Sequence, residues 1–161
     1  MNTPSPSPIE LFATLSKEFC AWCEAENLGP EPQRTAASWL ARLYAAALRL
    51  PQVEPETEEA RPELPERSFE QIERNFAQFW GQGYRQVFDP RLENDEVPVI
   101  GDLGDDLSGV YNDIKTSLLL YERGKVLDAV WQWKFDHETH WGHHAVGALF
   151  CIHHLSVSGL A

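Results

Sequence analysis

Large apolar residues recur at spacings of three and four along most of this 161-residue chain. That rhythm places them on one face of an α-helix, whereas a half-buried strand shows strict alternation of apolar and polar residues. No alternation of strand length occurs in the sequence. Because 161 residues suit one domain with its own core, we expect an all-α, single-domain bundle of about five helices.

The N-terminal part of the chain predicts a pair of antiparallel helices, the hairpin 7–50. The stretch SPIE (7–10) is a capping box with proline at the first helical position, which needs no backbone N–H. A Gly-Pro pair at 29–30 ends this first helix. A second helix is expected over 32–51, because alanines and leucines alternate there at spacings of four and three.

The stretch PQVEPETEEARPELPER (51–67) interrupts the helical pattern. Four prolines and six glutamates in seventeen residues prevent a continuous helix and leave little apolar surface to bury. We therefore expect an exposed, flexible acidic linker. A docking segment for a basic partner is the alternative reading of the same composition.

The remainder of the chain, 68–157, predicts a three-helix part. Its first helix is stopped by Asp89 and the proline that follows. Asp102 caps the next helix, and Gly124 ends it. The last helix extends over about 125–155 and carries two parallel apolar stripes, so that it should be broadly buried.

The segment 131–154 holds all six histidines of the chain and three of its six tryptophans. On a helix, His140 and His144 continue an apolar stripe, and Asp136 precedes them by one turn on the same side. Imidazoles at this spacing can supply two ligands to a divalent metal ion such as Zn, Fe or Mn. Three ligands from one helix would be geometrically awkward, so the next ligand should come from another helix.

The candidate for that second helix is the one that follows Asp102. It carries Asp106 and Asp113, seven residues apart at the edge of its buried stripe. The predicted metal site is therefore His140 and His144, completed by Asp106 or Asp113, with Asp136 as a further ligand or an acceptor behind an imidazole. The stretch HETH (137–140) is one residue short of the zincin pattern, so that its glutamate points away and cannot act as the water-activating base.

Two structural readings stand beside the metal site. The histidines can instead be interior groups that hydrogen-bond with Asp106, Asp113 and Tyr111. The aromatic residues Trp133, Trp141 and Tyr111 are candidates for a ligand pocket, but tryptophans in a small helical domain more often form the core. The CAWC stretch (20–23) lies in the middle of a helix, which favours two buried small side chains over a redox or zinc site.

Composition limits the partners and the compartment. A formal net charge of −12 and a pI near 4.8 disfavour nucleic acid and anionic membranes, and they suit a basic protein partner. The N-terminus lacks the features of a signal peptide, and no run is long enough to span a membrane. Three cysteines cannot all pair with one another, so we expect a reducing, cytoplasmic environment.

Three blocks in the C-terminal half carry a family resemblance. They are VFDP (87–90), GDLGDDLSGVYNDIKTSL (101–118) and DAVWQWKFDHETHWGHHA (128–145). In order and spacing they resemble an uncharacterised bacterial family of helical proteins, the domain of unknown function number 5063. The resemblance implies an α-helical fold and a cytoplasmic bacterial protein, and it implies no activity.

Two functions from different classes follow from the sequence. The favoured one is a non-enzymatic, acidic helical protein that acts as an adaptor or inhibitor of a protein partner, since no complete catalytic signature occurs in the chain. The alternative is a metal-dependent, hydrolase-like enzyme with a His/Asp site between the fourth and fifth helices.

Overall fold

The computed structural model describes residues 5–57 and 61–159. Within these ranges the chain is mostly helical and forms one domain with a small sheet. The elements are α1 (Pro8–Glu24), α2 (Pro32–Ala47), α3 (Glu66–Asn75), β1 (Gly83–Gln86), β2 (Val99–Asp102), α4 (Leu103–Glu122), α5 (Val126–Thr139) and α6 (Trp141–Ser158).

The predicted start of the first helix and both predicted ends of the fourth are confirmed, whereas α1 ends at Glu24, before the Gly-Pro pair at 29–30 that was expected to end it. The Ser7 hydroxyl accepts the N–H of Glu10 at 3.2 Å, and the Glu10 carboxylate accepts the N–H of Ser7 at 2.8 Å. Asp102 caps α4 by accepting backbone N–H groups of the first turn. Gly124, with a φ of 81°, provides the left-handed residue that ends α4.

Helix α4 is the centre of the domain. It packs against α1, α5 and α6, and its apolar face forms one continuous core with theirs. Trp133 and Trp141 are fully buried there, and the indole N–H of Trp133 donates to the carbonyl of Ile114 at 3.3 Å. Phe12 of α1 meets the Trp133 ring edge-on, with 5.0 Å between the ring centroids. This packing fixes the faces that α4 and α6 present to each other.

The expectation of an all-α chain of five helices is wrong in two places. The first is the antiparallel pair of β1 and β2, in which Gly83 pairs with Asp102 and Gln86 with Val99. Strands of four residues are too short for the alternation by which a strand is recognised. The third helix is correspondingly shorter than predicted, ending at Asn75.

The second difference is a break in the predicted last helix. His140 separates α5 from α6, with φ −144° and ψ −83°. At this junction the Cα of Gly142 lies so close to the His137 carbonyl oxygen that a Cβ would overlap it. Six helices therefore replace the predicted five in the described part of the chain.

The segment joining α2 to α3 is anchored to the helices beneath it, and we call residues 51–65 the strap. The Asp128 carboxylate accepts the backbone N–H groups of Glu56 at 2.7 Å and Thr57 at 3.0 Å. Leu64 is buried against the core. Most described residues of the strap, 51–57 and 61–65, are exposed, as the composition predicts. The segment is nevertheless held to the domain, because Asp128 and the core supply partners that its own residues lack.

Among the described residues, no helix is long and apolar enough to cross a membrane.

Candidate functional site

Two aspartates of α4 form the base of a polar cluster at the edge of the core. Asp106 and Asp113 lie two helical turns apart, on the same side of α4, and each side chain is only 2% exposed. A buried carboxylate is costly unless hydrogen bonds satisfy its oxygens. Both carboxylates therefore depend on partners from the neighbouring elements.

Those partners include the two histidines at the start of α6. Nδ1 of His140 lies 2.6 Å from Oδ2 of Asp113, and Nδ1 of His144 lies 2.8 Å from Oδ1 of Asp106. An ionised carboxylate only accepts hydrogen bonds, so Nδ1 of each ring carries the proton and donates. In the neutral ring the proton is then absent from Nε2, which presents its lone pair on the opposite side.

The two Nε2 atoms face each other. They are 3.4 Å apart, and the rings are nearly perpendicular, with their centroids 4.7 Å apart. The His140 side chain is 54% exposed and that of His144 is 24% exposed, so that the pair opens to solvent while the carboxylates behind it do not. We call these two residues the histidine pair.

Two further residues complete the hydrogen bonding of the carboxylates. The Tyr84 hydroxyl of β1 donates to Oδ2 of Asp106 at 2.7 Å. Nη1 of Arg61, in the strap, lies 3.3 Å from Oδ1 of Asp113 and also donates to Asp136 of α5. The histidine pair is thus supported from α4, from the sheet and from the strap.

Burial and charge shift the ionisation of several groups in this cluster. The hydrogen bond to Asp106 raises the pKa of His144, although burial of the ring opposes that shift. Burial, together with the bond to Asp106, also raises the pKa of Tyr84, so that its hydroxyl stays protonated and donates. Burial and the nearby charge of Asp113 raise the pKa of Asp136 to about 6. The upward pKa shifts of His144 and Tyr84 thus reflect in part the negative charge of Asp106 behind the imidazoles, and that of Asp136 reflects in part the charge of Asp113.

Gly109 of α4 lets the His144 ring lie against the helix. A Cβ at this position would be 3.3 Å from Cδ2 and 3.4 Å from Nε2 of His144. Any side chain other than hydrogen would therefore press on the ring. The position of Nε2 is set by Asp106 on one side of the imidazole and by this glycine on the other.

The structure brings together the five residues that the sequence predicts as metal ligands, but in unequal roles. His140 and His144 present free Nε2 atoms, whereas Asp106 and Asp113 bond to the Nδ1 atoms behind them. The Asp136 carboxylate lies further back, bonded to Arg61 and to Gln132. Among residues 5–57 and 61–159, no group of three or more His, Cys, Asp or Glu residues is arranged around a common point that could hold a metal ion.

The aromatic residues predicted to line a ligand pocket lie in the core. Trp133 and Trp141 are fully buried, and the Trp141 N–H donates to the carbonyl of Trp133 at 3.3 Å. Tyr111 is 2% exposed, and its hydroxyl donates to Glu24 of α1 at 2.9 Å, away from the histidines. All three have the packing of core residues.

An open groove of about 730 Å³ lies on the other side of α6, next to β1. The exposed side chains of Phe88, Val146 and Phe150 line it, together with His143. Tyr84 separates the groove from the histidine pair, since its side chain lines the groove while its hydroxyl reaches Asp106. This groove was not predicted from the sequence.

Three residues of the cluster were missed by sequence reasoning: Arg61, Tyr84 and Gly109. Arg61 and Tyr84 come from an irregular segment and a short strand, for which no helical register gives a direction. Gly109 did leave a signal, because a glycine inside a helix costs roughly 1 kcal/mol relative to alanine and often marks a close approach.

Comparison with known proteins places the chain in a family. A model of the family described as a domain of unknown function, DUF5063, matches residues 5–158, and the chain belongs to this family. No curated protein matches the chain. The structure is similar to the crystal structure of protein BF1032 from Bacteroides fragilis, with a TM-score of 0.70 and 23% sequence identity over 89% of this chain and 91% of that one. At this identity the likeness concerns the fold.

Proposed function

We propose that the histidine pair binds one divalent transition-metal ion and that the open coordination positions of this ion support a hydrolase-like activity. The observation that carries the proposal is the 3.4 Å separation of the two Nε2 atoms, each on the side of its ring away from the bonded carboxylate. Two lone pairs at this distance repel each other unless a cation lies between them. Either a proton or a metal ion shared by the two nitrogens would relieve this repulsion.

The distance favours the metal ion. A hydrogen bond donated by nitrogen is ordinarily about 2.7 to 3.2 Å long, so that 3.4 Å is long for a shared proton. Two nitrogens bound to a tetrahedral zinc ion at about 2.0 to 2.1 Å lie about 3.3 to 3.4 Å apart. The rings already have the separation that such an ion requires.

The groups behind the rings also support metal binding. In metal sites, the second ring nitrogen of a histidine ligand commonly donates to a carboxylate, which fixes the tautomer and makes the ligating nitrogen more basic. Asp106 and Asp113 stand in this relation to His144 and His140. Their negative charges further favour a cation in front of the pair.

The donor atoms indicate the class of metal. Imidazole nitrogens suit zinc, iron, copper and nickel, whereas manganese prefers oxygen ligands. Because neither Asp106 nor Asp113 has its carboxylate turned to the open side, we expect zinc or iron ahead of manganese. Two imidazoles fill only part of the coordination sphere of such an ion, which leaves positions for water and for an oxygen of a substrate. An ion bound in this way polarises that oxygen and lowers the pKa of bound water.

The test is metal analysis of protein that carries no histidine tag. We expect near-stoichiometric zinc or iron in the wild type, and loss of it in His140→Ala and in His144→Ala while the helical circular dichroism persists. His143→Ala is the matched control, because His143 is exposed on the same helix and its ring faces Phe88. This variant should bind like the wild type.

Two results would overturn the metal proposal. One is a wild-type protein that takes up no zinc or iron after exposure to either ion at micromolar concentration. The other is equal uptake by the wild type and by the His140→Ala, His144→Ala double variant. Asp106→Asn and Asp113→Asn give a graded check, since loss of such an outer partner typically weakens metal binding about 10- to 100-fold.

A second candidate function is protein binding at the groove beside α6. It is favoured by the exposure of Phe150, which is 70% exposed, and of Val146 and Phe88, which are 51% and 53% exposed. The net charge of −12 favours a partner whose apolar segment is flanked by basic residues. Such a partner should be retained by the wild type at low salt and lost with Phe150→Asp. Equal retention by both proteins would exclude this surface.

A further inference from the structure

Arg61 joins three elements that are far apart in the sequence. It belongs to the strap, and its guanidinium reaches Asp113 of α4 and Asp136 of α5 through the same Nη1 atom. The two carboxylates are buried, with 2% and 7% of their side chains exposed, while the Arg61 side chain is 31% exposed. Arg61 therefore covers the two acids from the solvent side.

Asp113 is the link between Arg61 and the histidine pair. Its Oδ1 accepts from Arg61, and its Oδ2 accepts from Nδ1 of His140. A carboxylate held at both oxygens has a fixed plane, and the direction of that plane sets the orientation of the imidazole bonded to it. His140 needs this support more than its partner does, because it is 54% exposed and lies at the break between α5 and α6.

From this geometry we propose that Arg61 is a positioning residue for the metal site, and that the metal affinity of the histidine pair depends on the strap through it. The inference rests on the proposed function for its effect on metal affinity, but its structural part concerns His140 alone. Without Arg61, Oδ1 of Asp113 loses its donor, and the plane of this carboxylate is no longer held at both oxygens. Asp113 then turns away from Asp136 and releases the His140 ring.

A simple charge argument predicts the opposite effect. Removing a positive charge near a cation site should tighten metal binding, because the guanidinium repels the ion. If Arg61 acts by positioning His140, its loss should weaken metal binding, because one of the two ligands loses its orientation. For Arg61→Gln we expect metal affinity to fall about 10- to 100-fold, the range found when an outer partner is lost. The sign of the change separates the two explanations.

The experiment measures zinc affinity by competition with a chromophoric chelator, and the Nδ1 and Nε2 signals of the imidazoles by nitrogen NMR of the metal-free protein. Arg61→Gln should weaken zinc binding and remove the Nδ1–H tautomer signal of His140 while leaving that of His144. Arg61→Lys, which restores a positive donor, should recover most of both. Asp128→Ala is the matched control, because it removes the acceptor of the Glu56 and Thr57 bonds and frees the strap there without touching Asp113.

Several outcomes would overturn the proposal. They are unchanged or tighter zinc binding by Arg61→Gln, an unchanged His140 signal, or an equal loss with Asp128→Ala, which would indicate a general loosening of the strap. If Arg61→Gln does not fold, Asp136→Asn and the double variant Arg61→Gln, Asp136→Asn are compared instead, since they contain no facing pair of charged acids. Equal affinity and equal His140 signals in these two variants would refute the role of Arg61.

The same experiment separates this inference from the proposed function. If the wild type binds no zinc, the metal proposal fails, and the His140 signal of the metal-free protein still decides whether Arg61 orients the ring. If the wild type binds zinc and Arg61→Gln binds it equally well, the metal proposal stands and the role of Arg61 fails.

Discussion

Substitution of Gly109 by alanine should separate the stability of the fold from its affinity for metal. The new Cβ would lie 3.3 Å from Cδ2 and 3.4 Å from Nε2 of His144. Carbon atoms in favourable contact are about 3.5 to 4.0 Å apart, so that the ring must move by a few tenths of an ångström. Because Asp106 holds Nδ1 at 2.8 Å, the ring turns about that bond and Nε2 is displaced.

The free energy of unfolding and the free energy of zinc binding should then respond differently. Alanine is favoured over glycine inside a helix by about 0.8 to 1.0 kcal/mol, and the cost of the close contact offsets part of this gain. The free energy of unfolding should therefore be unchanged or raised by up to about 1 kcal/mol. Ligand positions in a metal site must be correct to about 0.2 Å, so we expect a loss of about tenfold in zinc affinity, equivalent to about 1.4 kcal/mol.

The assay pairs urea denaturation of the metal-free protein with zinc titration against a chromophoric chelator. Ser108→Ala is the control, since it improves helix propensity at the neighbouring position and removes only a bond to the Gly104 carbonyl. It should leave zinc affinity unchanged. Zinc binding by Gly109→Ala as tight as that of the wild type would refute the view that the position of the His144 ring sets the affinity. Destabilisation by several kcal/mol would show that the ring cannot move.

Three further predictions concern the surroundings of the site. The hydrogen bond from the Thr57 N–H lowers the pKa of Asp128 from 3.8. This anchor of the strap therefore contributes stability above that pH, and the contribution is lost as the pH falls through the lowered pKa. The NMR amide signals of the anchored strap residues should accordingly titrate below pH 3.8. Gly142→Ala should destabilise the fold by about 1 to 3 kcal/mol in urea denaturation, because its Cβ overlaps a backbone carbonyl oxygen. Cys20 and Cys23 should react with thiol reagents only after unfolding, since burial raises the pKa of both thiols.

The helices with local signals could be predicted from the sequence. The capping box at Ser7 depends on residues three positions apart, and the Asp102 cap and the Gly124 terminator act within one turn. The break at His140 could not be predicted in this way. The apolar residues of α5 and α6 keep the same spacing of three and four across the break at His140. In the sequence the two helices therefore appear as one.

The members of the site could be predicted better than their roles. Helical periodicity brings Asp106 and Asp113 to the face of α4 that meets His140 and His144, because spacings of seven and four residues are close to two turns and one turn. Whether a carboxylate meets the Nδ1 or the Nε2 side of an imidazole depends on the separation of the helices and on the rotation of each ring. Those quantities follow from the packing of the whole core, to which residues throughout the chain contribute.

The gradient of burial across the cluster argues for a role beyond stability. Two carboxylates at 2% exposure hold two imidazoles that are far more exposed, and the two Nε2 atoms lie 3.4 Å apart. A buried ionic cluster is often no more stabilising than well-packed apolar side chains of the same volume. A cluster that served only the core would gain nothing from holding two Nε2 atoms at its partly exposed edge, at the separation of two metal ligands. Under the proposed metal binding, the carboxylates, Tyr84 and Arg61 serve to hold the two rings in place.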